Sequence, residues 1–476
     1  MSQAVAEKPV AEDERAFASG ARILSIGIAS TGIFTFAYLA TASHVLGSGA
    51  YSRISVCWAI MFVILSVIYR PIEQLLSRTI ADRQARGTTG HILRTPAIIQ
   101  GSFALLFLIV ALALHHVIER HLFDGSNALY WILVVGVLAY AGSYFARGWL
   151  AGHKRFALYG ALVFLESTSR FLFALAVAVG IGSGQGAVGL GMAAAPFVSL
   201  CVIPFAFRRV QARGSRPGEA AVDARAVEVA DAAREGPVHA QLEDAATDLS
   251  LRHGSGFAAA VVAIMFSEQT LLNAGVLVVA ANSGFNLTLG LTGFVFNVLL
   301  IVRAPLQLFQ AVQTSILPHL AGMEARGSEE SFQRAIRITV LVIVGFAGAV
   351  ALGLLVIGPI VMKAVLGDHD FTYNRFGLAI VGIGMGLHLT SGTLNQAMLA
   401  RGRAPLAAAA WLTAAAAFVV FVATHTIANQ VTRVEVGYCG ATALLALLLW
   451  TLYRRARVVP AVAAAGARVV SSPGRR

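Results

Sequence analysis

The chain contains 476 residues, of which 57% are hydrophobic and 13% are charged, and its mean hydropathy is +0.74. This much apolar surface excludes a water-soluble globular protein. The formal net charge of +12 does not indicate nucleic-acid binding, because the arginines gather between apolar stretches, where they orient membrane proteins. We therefore expect no nucleic acid among its partners.

Apolar stretches long enough to cross a bilayer recur along the whole chain. A helix needs about 20 apolar residues to span about 30 Å of hydrocarbon. These spans predict an all-α polytopic membrane protein with about twelve transmembrane helices in two six-helix lobes. The first six spans cover about 24–42, 54–69, 97–114, 130–148, 158–179 and 188–207. The second six cover about 257–280, 287–310, 338–361, 378–398, 406–428 and 436–453.

Composition divides the chain into five segments. Residues 1–20 are acidic, unlike the start of a cleaved signal peptide, and we expect them to form a disordered cytoplasmic tail. The N-terminal lobe covers 21–207 and the C-terminal lobe covers 255–453. Between them, 208–254 is rich in Ala, Arg, Asp and Glu and is predicted to be a cytoplasmic linker. Residues 454–476 are predicted to be a basic cytoplasmic tail that touches anionic lipids.

Arginine and lysine follow the even-numbered spans and are scarce after the odd-numbered ones. Short loops rich in these residues stay on the cytoplasmic side of a membrane. Both termini are therefore predicted to be cytoplasmic, in a multi-pass protein of the plasma (inner) membrane. The pattern is carried by Arg78, Arg83, Arg86 and Arg94; by Arg147, Lys154 and Arg155; by Arg208, Arg209 and Arg213; by Arg326, Arg334 and Arg337; by Arg401 and Arg403; and by Arg454, Arg455 and Arg457.

The two halves repeat one unusual feature. Arg70 precedes Pro71 at the end of the second span, and an Arg-Ala-Pro sequence at 303–305 lies in the eighth. The triplet Ala-Arg-Gly at 85–87 recurs at 325–327, an offset of 240 residues. The second and eighth spans are therefore predicted to be copies of one element in a duplicated protein. Duplicated bundles that rock around a shared site are a recurring design of transporters.

Ionisable residues inside the spans are few. Each costs about 2.5 to 3.5 kcal/mol on insertion scales and persists mainly where it faces a cavity or a partner. Glu166 and Arg170 lie four residues apart on the fifth span, Glu268 lies on the seventh, and Arg303 on the eighth matches Arg70 on the second. With polar neighbours at helical spacings, they predict a net cationic vestibule. The neighbours are Asn273, Asn297, Gln307, Gln310, Gln313, His388 and Asn395.

Two interpretations of these charges stay open. Glu166 and Arg170 either neutralise each other as a structural pair or face the vestibule. Arg70 and Arg303 either extend towards lipid phosphates or line the vestibule. The adjacent prolines favour the vestibule, because a helix kinked there opens a wedge beside the charge and frees carbonyls that need polar partners.

Other motifs in the chain do not indicate enzymatic chemistry. His115 and His116, with the segment 119–121, offer metal ligands but also fit a solvated outer loop, so no metal is assigned. No GxxxxGK[ST] sequence is present, so the chain carries no ATPase of that kind. We expect no cofactor and no enzymatic activity.

Several of these motifs together resemble a known family. They are the segment from Arg70 to Gln74 with Ser77-Arg78, the 303–306 sequence followed by Leu317-Pro318, and the mutually similar turns at 150–154 and 399–403. The chain resembles the polysaccharide-repeat-unit flippases of the MOP exporter superfamily, relatives of the MATE transporters, over nearly its whole length.

This resemblance implies a function. Such a protein moves an oligosaccharide linked to polyprenyl pyrophosphate from the inner to the outer leaflet, for lipopolysaccharide or exopolysaccharide biosynthesis, by alternating access of two lobes. Arg303 and Arg70, with Arg170, would attract the pyrophosphate, since guanidinium groups bind phosphate oxygens in a forked geometry. Gln307 and Asn297 would suit sugar hydroxyls. Its partners would be the lipid-linked oligosaccharide, membrane lipids, and glycosyltransferases or a polymerase of the same pathway.

Under the same resemblance, Glu268 or Glu166 would balance charge or couple transport to protons. The lipid tail would stay in the bilayer.

Four alternatives stay open. A cation-coupled multidrug antiporter of the MATE branch would carry an acidic residue in its first span, and 24–42 contains none. A major-facilitator-type transporter shares the six-plus-six layout but has a shorter loop after its second span. A membrane polymerase or glycosyltransferase usually needs a sizeable outer loop or paired acids, and only Asp368 and Asp370 form an outer acidic cluster. A scaffold that recruits glycosyltransferases would tolerate substitution of the intramembrane arginines.

Overall fold

The computed structural model describes most of the chain. The described residues are 27, 30–86, 93–153, 155–204, 237–284, 286, 290–303, 305–306, 329–367 and 371–455. The 1–20 tail, most of the predicted linker, Gln307 and most of the basic C-terminal tail lie outside them. Within the described ranges the secondary structure is helical and contains no strand.

In its described part, the first half of the chain forms six long helices at the predicted positions, besides the short helical segments His115–Val117 and Ile118–Leu122. The second long helix contains one turn of π-helix, Leu65–Tyr69, and the sixth ends in a 3₁₀ turn, Leu200–Val202. The six helices are α1 (30–45), α2 (48–86), α3 (Arg94–Ala113), α4 (Asn127–Gly152), α5 (Phe156–Ala178) and α6 (Gly184–Ser199).

The second half also forms six helices in its described part. They are α7 (Pro237–Asn282), α8 (Leu291–Arg303), α9 (Glu329–Leu366), α10 (Arg375–Ala400), α11 (Ala404–Ala423) and α12 (Gln430–Arg455). Ten of the helices in the described ranges are long and apolar enough to cross a membrane, and α8 is a shorter apolar helix. The prediction of an all-α polytopic protein is confirmed.

Helix α7 begins much earlier than the sequence predicts. Its 46 residues start at Pro237, inside the segment that was predicted to be linker up to residue 254. The mixed charges of that segment gave no helical periodicity in the sequence. A helix that continues beyond the bilayer needs no apolar stripe there. Helix α9 likewise begins at Glu329, before the predicted start of the ninth span.

Burial shows which helices face lipid. In the most apolar 18-residue stretch of each helix, 17% of the residues are buried in α3 and in α9, against 61% in α2. Large apolar side chains such as Leu105 on α3 and Leu341 on α9 are more than half exposed. Helices α3 and α9 occupy corresponding places in the two halves. Apolar surface of this extent is stable in hydrocarbon and not in water, so the structure is that of a multi-pass membrane protein.

Close glycine contacts hold α4 against α2. A methyl group on Gly148 would stand 2.8 Å from the carbonyl oxygen of Glu73, and one on Gly152 would stand 2.7 Å from the side chain of Ile80. Small residues permit this approach, which supplies much of the packing between membrane helices. The contact fixes the segment of α2 that carries Arg70.

We predict that Gly148→Ala destabilises the protein, because the added methyl group meets backbone and the helices must separate. Overpacking of this kind costs about 1 to 3 kcal/mol. The midpoint of thermal unfolding in detergent should fall. The matched control is Gly101→Ala on α3, where no atom lies within 4 Å of the added group; it should leave the midpoint unchanged or raise it slightly. Equal effects of the two substitutions would contradict the assigned contact.

Candidate functional site

A cavity of about 360 Å³ lies between the two lobes. Helices α1, α2, α4 and α5 form its N-lobe wall, and α7 and α8 form its C-lobe wall. Among the described lining residues, four arginines face two glutamates, which leaves an excess of two formal positive charges. The ionisable and amide side chains of the lining are Arg70, Glu73, Gln74, Arg147, Glu166, Arg170, Gln269 and Arg303.

The π-helical turn of α2 leads directly into Arg70. The backbone N–H of Arg70 donates to the carbonyl of Leu65, five residues earlier. Pro71 explains this wider turn, because its ring crowds the carbonyl four residues before it and it has no N–H to donate. The sequence predicted that the proline would distort the helix beside the charge, and the structure has a π turn at that place. Arg70 lines the cavity.

Glu166 is held between two arginines of the N lobe. Its Oε2 accepts hydrogen bonds from Arg147 Nη2 at 2.5 Å and from the Ser143 hydroxyl at 3.0 Å. Its Oε1 accepts a longer bond, 3.3 Å, from Arg170 Nη2. We call Arg147, Glu166 and Arg170 the N-lobe triad. Glu166 and Arg170 are therefore a hydrogen-bonded pair and also line the cavity, so the two interpretations left open by the sequence are compatible.

Aromatic rings hold the two arginines of the N-lobe triad in place. The Arg170 guanidinium lies 5.1 Å from the ring centre of Trp58 and donates to the Tyr140 hydroxyl at 2.5 Å. The Arg147 guanidinium lies 4.5 Å from the ring centre of Tyr144. Contacts between cations and aromatic faces stabilise a desolvated guanidinium.

Arg303 also lines the cavity, where it is fastened to its own lobe. Its Nη2 donates to the Leu272 carbonyl at 3.0 Å and to the Asn273 side chain at 2.8 Å, and its guanidinium lies 4.8 Å from the ring centre of Phe296. These partners hold Arg303 between α7 and α8. The lipid-facing interpretation of Arg303 therefore does not describe this structure.

Glu268 interacts electrostatically with Arg70 across the boundary between the lobes. Its neighbour Gln269, one residue further along α7, lines the cavity. Glu73, which the sequence analysis did not single out, lines the cavity and accepts a hydrogen bond of 2.7 Å from the Tyr159 hydroxyl.

Asn297 lies elsewhere than the sequence analysis expected. It is fully buried and is not among the residues that line the cavity. Its Oδ1 accepts from the Tyr51 hydroxyl at 2.5 Å, and its Nδ2 donates to the Leu366 carbonyl at 3.2 Å and to the Ser43 hydroxyl at 3.3 Å. With these partners, Asn297 joins α1 and α2 of one lobe to α8 and α9 of the other.

Further contacts around Asn297 close the lobes at one end. The Gly293 N–H donates to the Ser52 hydroxyl at 3.0 Å, and a methyl group on Gly290 would stand 2.6 Å from the Cβ of Ser48. We call this region the outer closure; it comprises Ser43, Ser48, Tyr51, Ser52, Gly290, Gly293, Asn297 and Leu366. The cavity lies beyond it, along the half of α2 from Trp58 to Gln74. The cavity therefore lies towards the predicted cytoplasmic ends of the helices.

The buried position of Arg147 was not predicted. In the sequence Arg147 groups with the arginines that follow the fourth span, but α4 continues to Gly152 and buries Arg147 in the N-lobe triad. Tyr140, Tyr144 and Arg147 follow one another at spacings of four and three residues, which places them on one helix face. That polar stripe was the available signal.

Comparison with known proteins identifies the fold. No protein-family model matches the sequence, and no curated protein sequence matches it. Solved structures described as the inward-facing and outward-facing conformations of a multidrug resistance MATE family transporter of the MOP superfamily are 12% and 13% identical to this chain. They cover 95% of it and 96% and 97% of their own lengths, each with a TM-score of 0.58.

A variant of the Vibrio cholerae MATE transporter VcmN is 14% identical, over 92% of this chain and 97% of its own, with a TM-score of 0.54. The chain thus has the fold of MATE transporters.

We predict that Asn297→Ala loosens the outer closure, because it removes the side chain that joins the lobes and leaves buried polar partners unsatisfied, at about 1 to 3 kcal/mol. A cysteine at Ser48 serves as the reporter, in a Cys201→Ser background. Labelling of intact cells by a membrane-impermeant maleimide should become at least fivefold faster.

The control for this experiment is Asn429→Ala. Asn429 is an exposed asparagine that caps the start of α12 and takes no part in the outer closure. It should leave the labelling rate unchanged. An unchanged rate in Asn297→Ala would contradict the role of Asn297.

Proposed function

We propose that this protein is a transporter that moves a polyprenyl-pyrophosphate-linked oligosaccharide from the inner to the outer leaflet of the plasma (inner) membrane, for cell-surface polysaccharide biosynthesis. The observation that carries the proposal is the net cationic cavity between the lobes, with four arginines among its described lining residues. The proposal puts both termini on the cytoplasmic side, because the arginine pattern of the sequence predicts that orientation.

The charge of the cavity supports an anionic substrate. Cationic groups at membrane depth are costly, and the two lining glutamates balance only half of the four arginines. Glu268, which interacts electrostatically with Arg70, reduces this excess but leaves it positive. A diphosphate diester, with one negative charge on each phosphate, has the charge of opposite sign that the cavity favours. Arginine suits this task because its planar fork binds two phosphate oxygens at once.

Different parts of the cavity suit different parts of the substrate. Arg70 and Arg303 come from opposite lobes, both line the cavity, and they would attract the pyrophosphate. Gln74 and Gln269, which also line it, offer amide donors and acceptors for sugar hydroxyls. The polyprenyl tail would remain in the bilayer, so the protein shelters only the polar end of the substrate.

The outer closure supports alternating access. In this structure the lobes meet on the predicted outer side and part towards the predicted cytoplasmic side. Release to the outer leaflet requires the contacts around Asn297 to break while the inner halves of α2 and α8 come together. Glu268 and Arg70, on opposite sides of the lobe boundary, would then approach and help to close the inner side. Glycosyltransferases or a polymerase of the same pathway would act as partners.

A cation-coupled multidrug antiporter is the second candidate, and the fold favours it because the similar structures include multidrug transporters. The cavity charge opposes it, since four arginines repel cationic drugs. The described part of the first helix contributes only Thr31, Gly32, Thr35, Phe36 and Leu39 to the cavity, with no carboxylate. Resistance to ethidium conferred by expression of the protein would favour this alternative.

We predict that lipid-linked glycan accumulates on the cytoplasmic leaflet of cells that lack this protein. Wild type should clear the accumulated lipid, and Arg303→Ala at equal membrane level should clear at least tenfold less, because it removes a cavity cation. The matched control is Arg375→Ala, at an exposed position at the start of α10, which should act as wild type. Absence of accumulation would overturn the proposed substrate.

A further inference from the structure

The N-lobe triad has more hydrogen-bond donors than its carboxylate satisfies. Arg147 is 9% exposed and Arg170 is 3% exposed, yet the Nε of each is buried without a hydrogen-bond partner. A buried donor without a partner costs about 1 to 3 kcal/mol. Glu166 is the carboxylate hydrogen-bonded to both arginines, so the triad keeps a net charge of +1.

Both guanidinium groups have partners other than Glu166 that help to position them. Arg170 is held by Tyr140 and by the rings of Trp58 and Phe62, at 5.1 Å and 5.4 Å. Arg147 is held over Tyr144. Removal of the carboxylate would therefore leave two guanidinium groups at the cavity wall, each in contact with an aromatic ring and each with an unpaired Nε.

We propose that Arg147 and Arg170 form an oxyanion subsite for a phosphate group of the substrate, and that Glu166 occupies this subsite when no substrate is bound. The proposal rests on the proposed function and deepens it. Glu166 bridges the two arginines through its two oxygens, as a phosphate would. A phosphate has more oxygens to offer, so it would also satisfy the Nε donors that the carboxylate leaves unpaired.

This arrangement gives Glu166 a definite task. The carboxylate competes with the substrate for the same two arginines, so it weakens binding and promotes release when the substrate leaves the cavity. The long bond of 3.3 Å to Arg170 is the weaker of the two bridges and the one that opens first. Binding and transport then respond to Glu166 in opposite directions, since tighter binding slows release.

The test measures binding of farnesyl diphosphate to the purified full-length protein, with farnesol as the uncharged comparator. Glu166→Gln keeps the shape of the side chain and removes the competing charge, so affinity for farnesyl diphosphate should rise at least fivefold. Arg147→Gln and Arg170→Gln should each lower it at least tenfold. None of the variants should change the weak binding of farnesol.

Glu73→Gln is the matched control. It removes the same charge from the same cavity, but Glu73 is hydrogen-bonded to Tyr159 and does not bridge the arginines. Because Glu73 also lines the cavity, its removal should strengthen binding only through the net charge, by less than half the factor found for Glu166→Gln. If Glu73→Gln and Glu166→Gln strengthen binding equally, the effect is general electrostatics and the subsite is wrong. Unchanged or weaker binding by Glu166→Gln, with an unchanged unfolding midpoint, overturns it also.

Folding defects and failure of the proposed function give different results. Arg147→Lys keeps the positive charge but replaces the forked guanidinium with an ammonium group. This variant should fold as wild type and still bind farnesyl diphosphate at least threefold more weakly; wild-type affinity would overturn the subsite. If Arg303→Ala abolishes binding while the triad variants do not alter it, the subsite is wrong and the proposed substrate stands. If wild type binds farnesyl diphosphate no better than farnesol, both are wrong.

Discussion

The need to stabilise guanidinium groups at membrane depth organises the centre of this protein. An unpaired charge there carries a penalty of several kcal/mol, and each described arginine of the cavity has partners that reduce it. Aromatic rings and Glu166 surround Arg147 and Arg170, the backbone and Asn273 bind Arg303, and Glu268 faces Arg70. The wide turn before Arg70 and the glycine contact of α4 with α2 both serve to place these groups. The cationic cavity follows from this arrangement.

The two lobes share an origin in the sequence but divide their tasks. Arg70 on α2 and Arg303 on α8 keep corresponding places, and both line the cavity. Beyond that pair, the N lobe contributes the whole N-lobe triad, whereas the C lobe contributes Asn297, whose amide joins the lobes on the predicted outer side. A duplicated scaffold thus combines a charged cavity wall with a polar closure between the lobes, and the proposed transport would require that closure to open.

The sequence predicted the helices well, because hydrophobic length and prolines are local signals. Arg70 and Arg303, which the internal repeat singled out, both line the cavity. It was less informative about contacts between distant segments. Tyr51 and Asn297 are 246 positions apart, and no periodicity within one helix reveals that a polar residue on α8 meets a tyrosine on α2. Arg147 was missed for a related reason: its place near a helix end is also that of an arginine that orients the chain, and its stripe with Tyr140 and Tyr144 does not reveal Glu166 on the next helix. The early start of α7 was not predicted because the first turns of the helix carry no apolar stripe.

The most direct test of the account is transport by the purified protein in liposomes. A fluorescent polyprenyl-pyrophosphate-linked sugar is placed in the membrane, and its appearance in the opposite leaflet is followed by quenching with an impermeant reductant, with ethidium movement measured in parallel. The account predicts rapid exchange of the lipid-linked sugar, little exchange of the matching polyprenol-linked sugar that lacks pyrophosphate, and no movement of ethidium. Movement of ethidium without exchange of the lipid-linked sugar would contradict it.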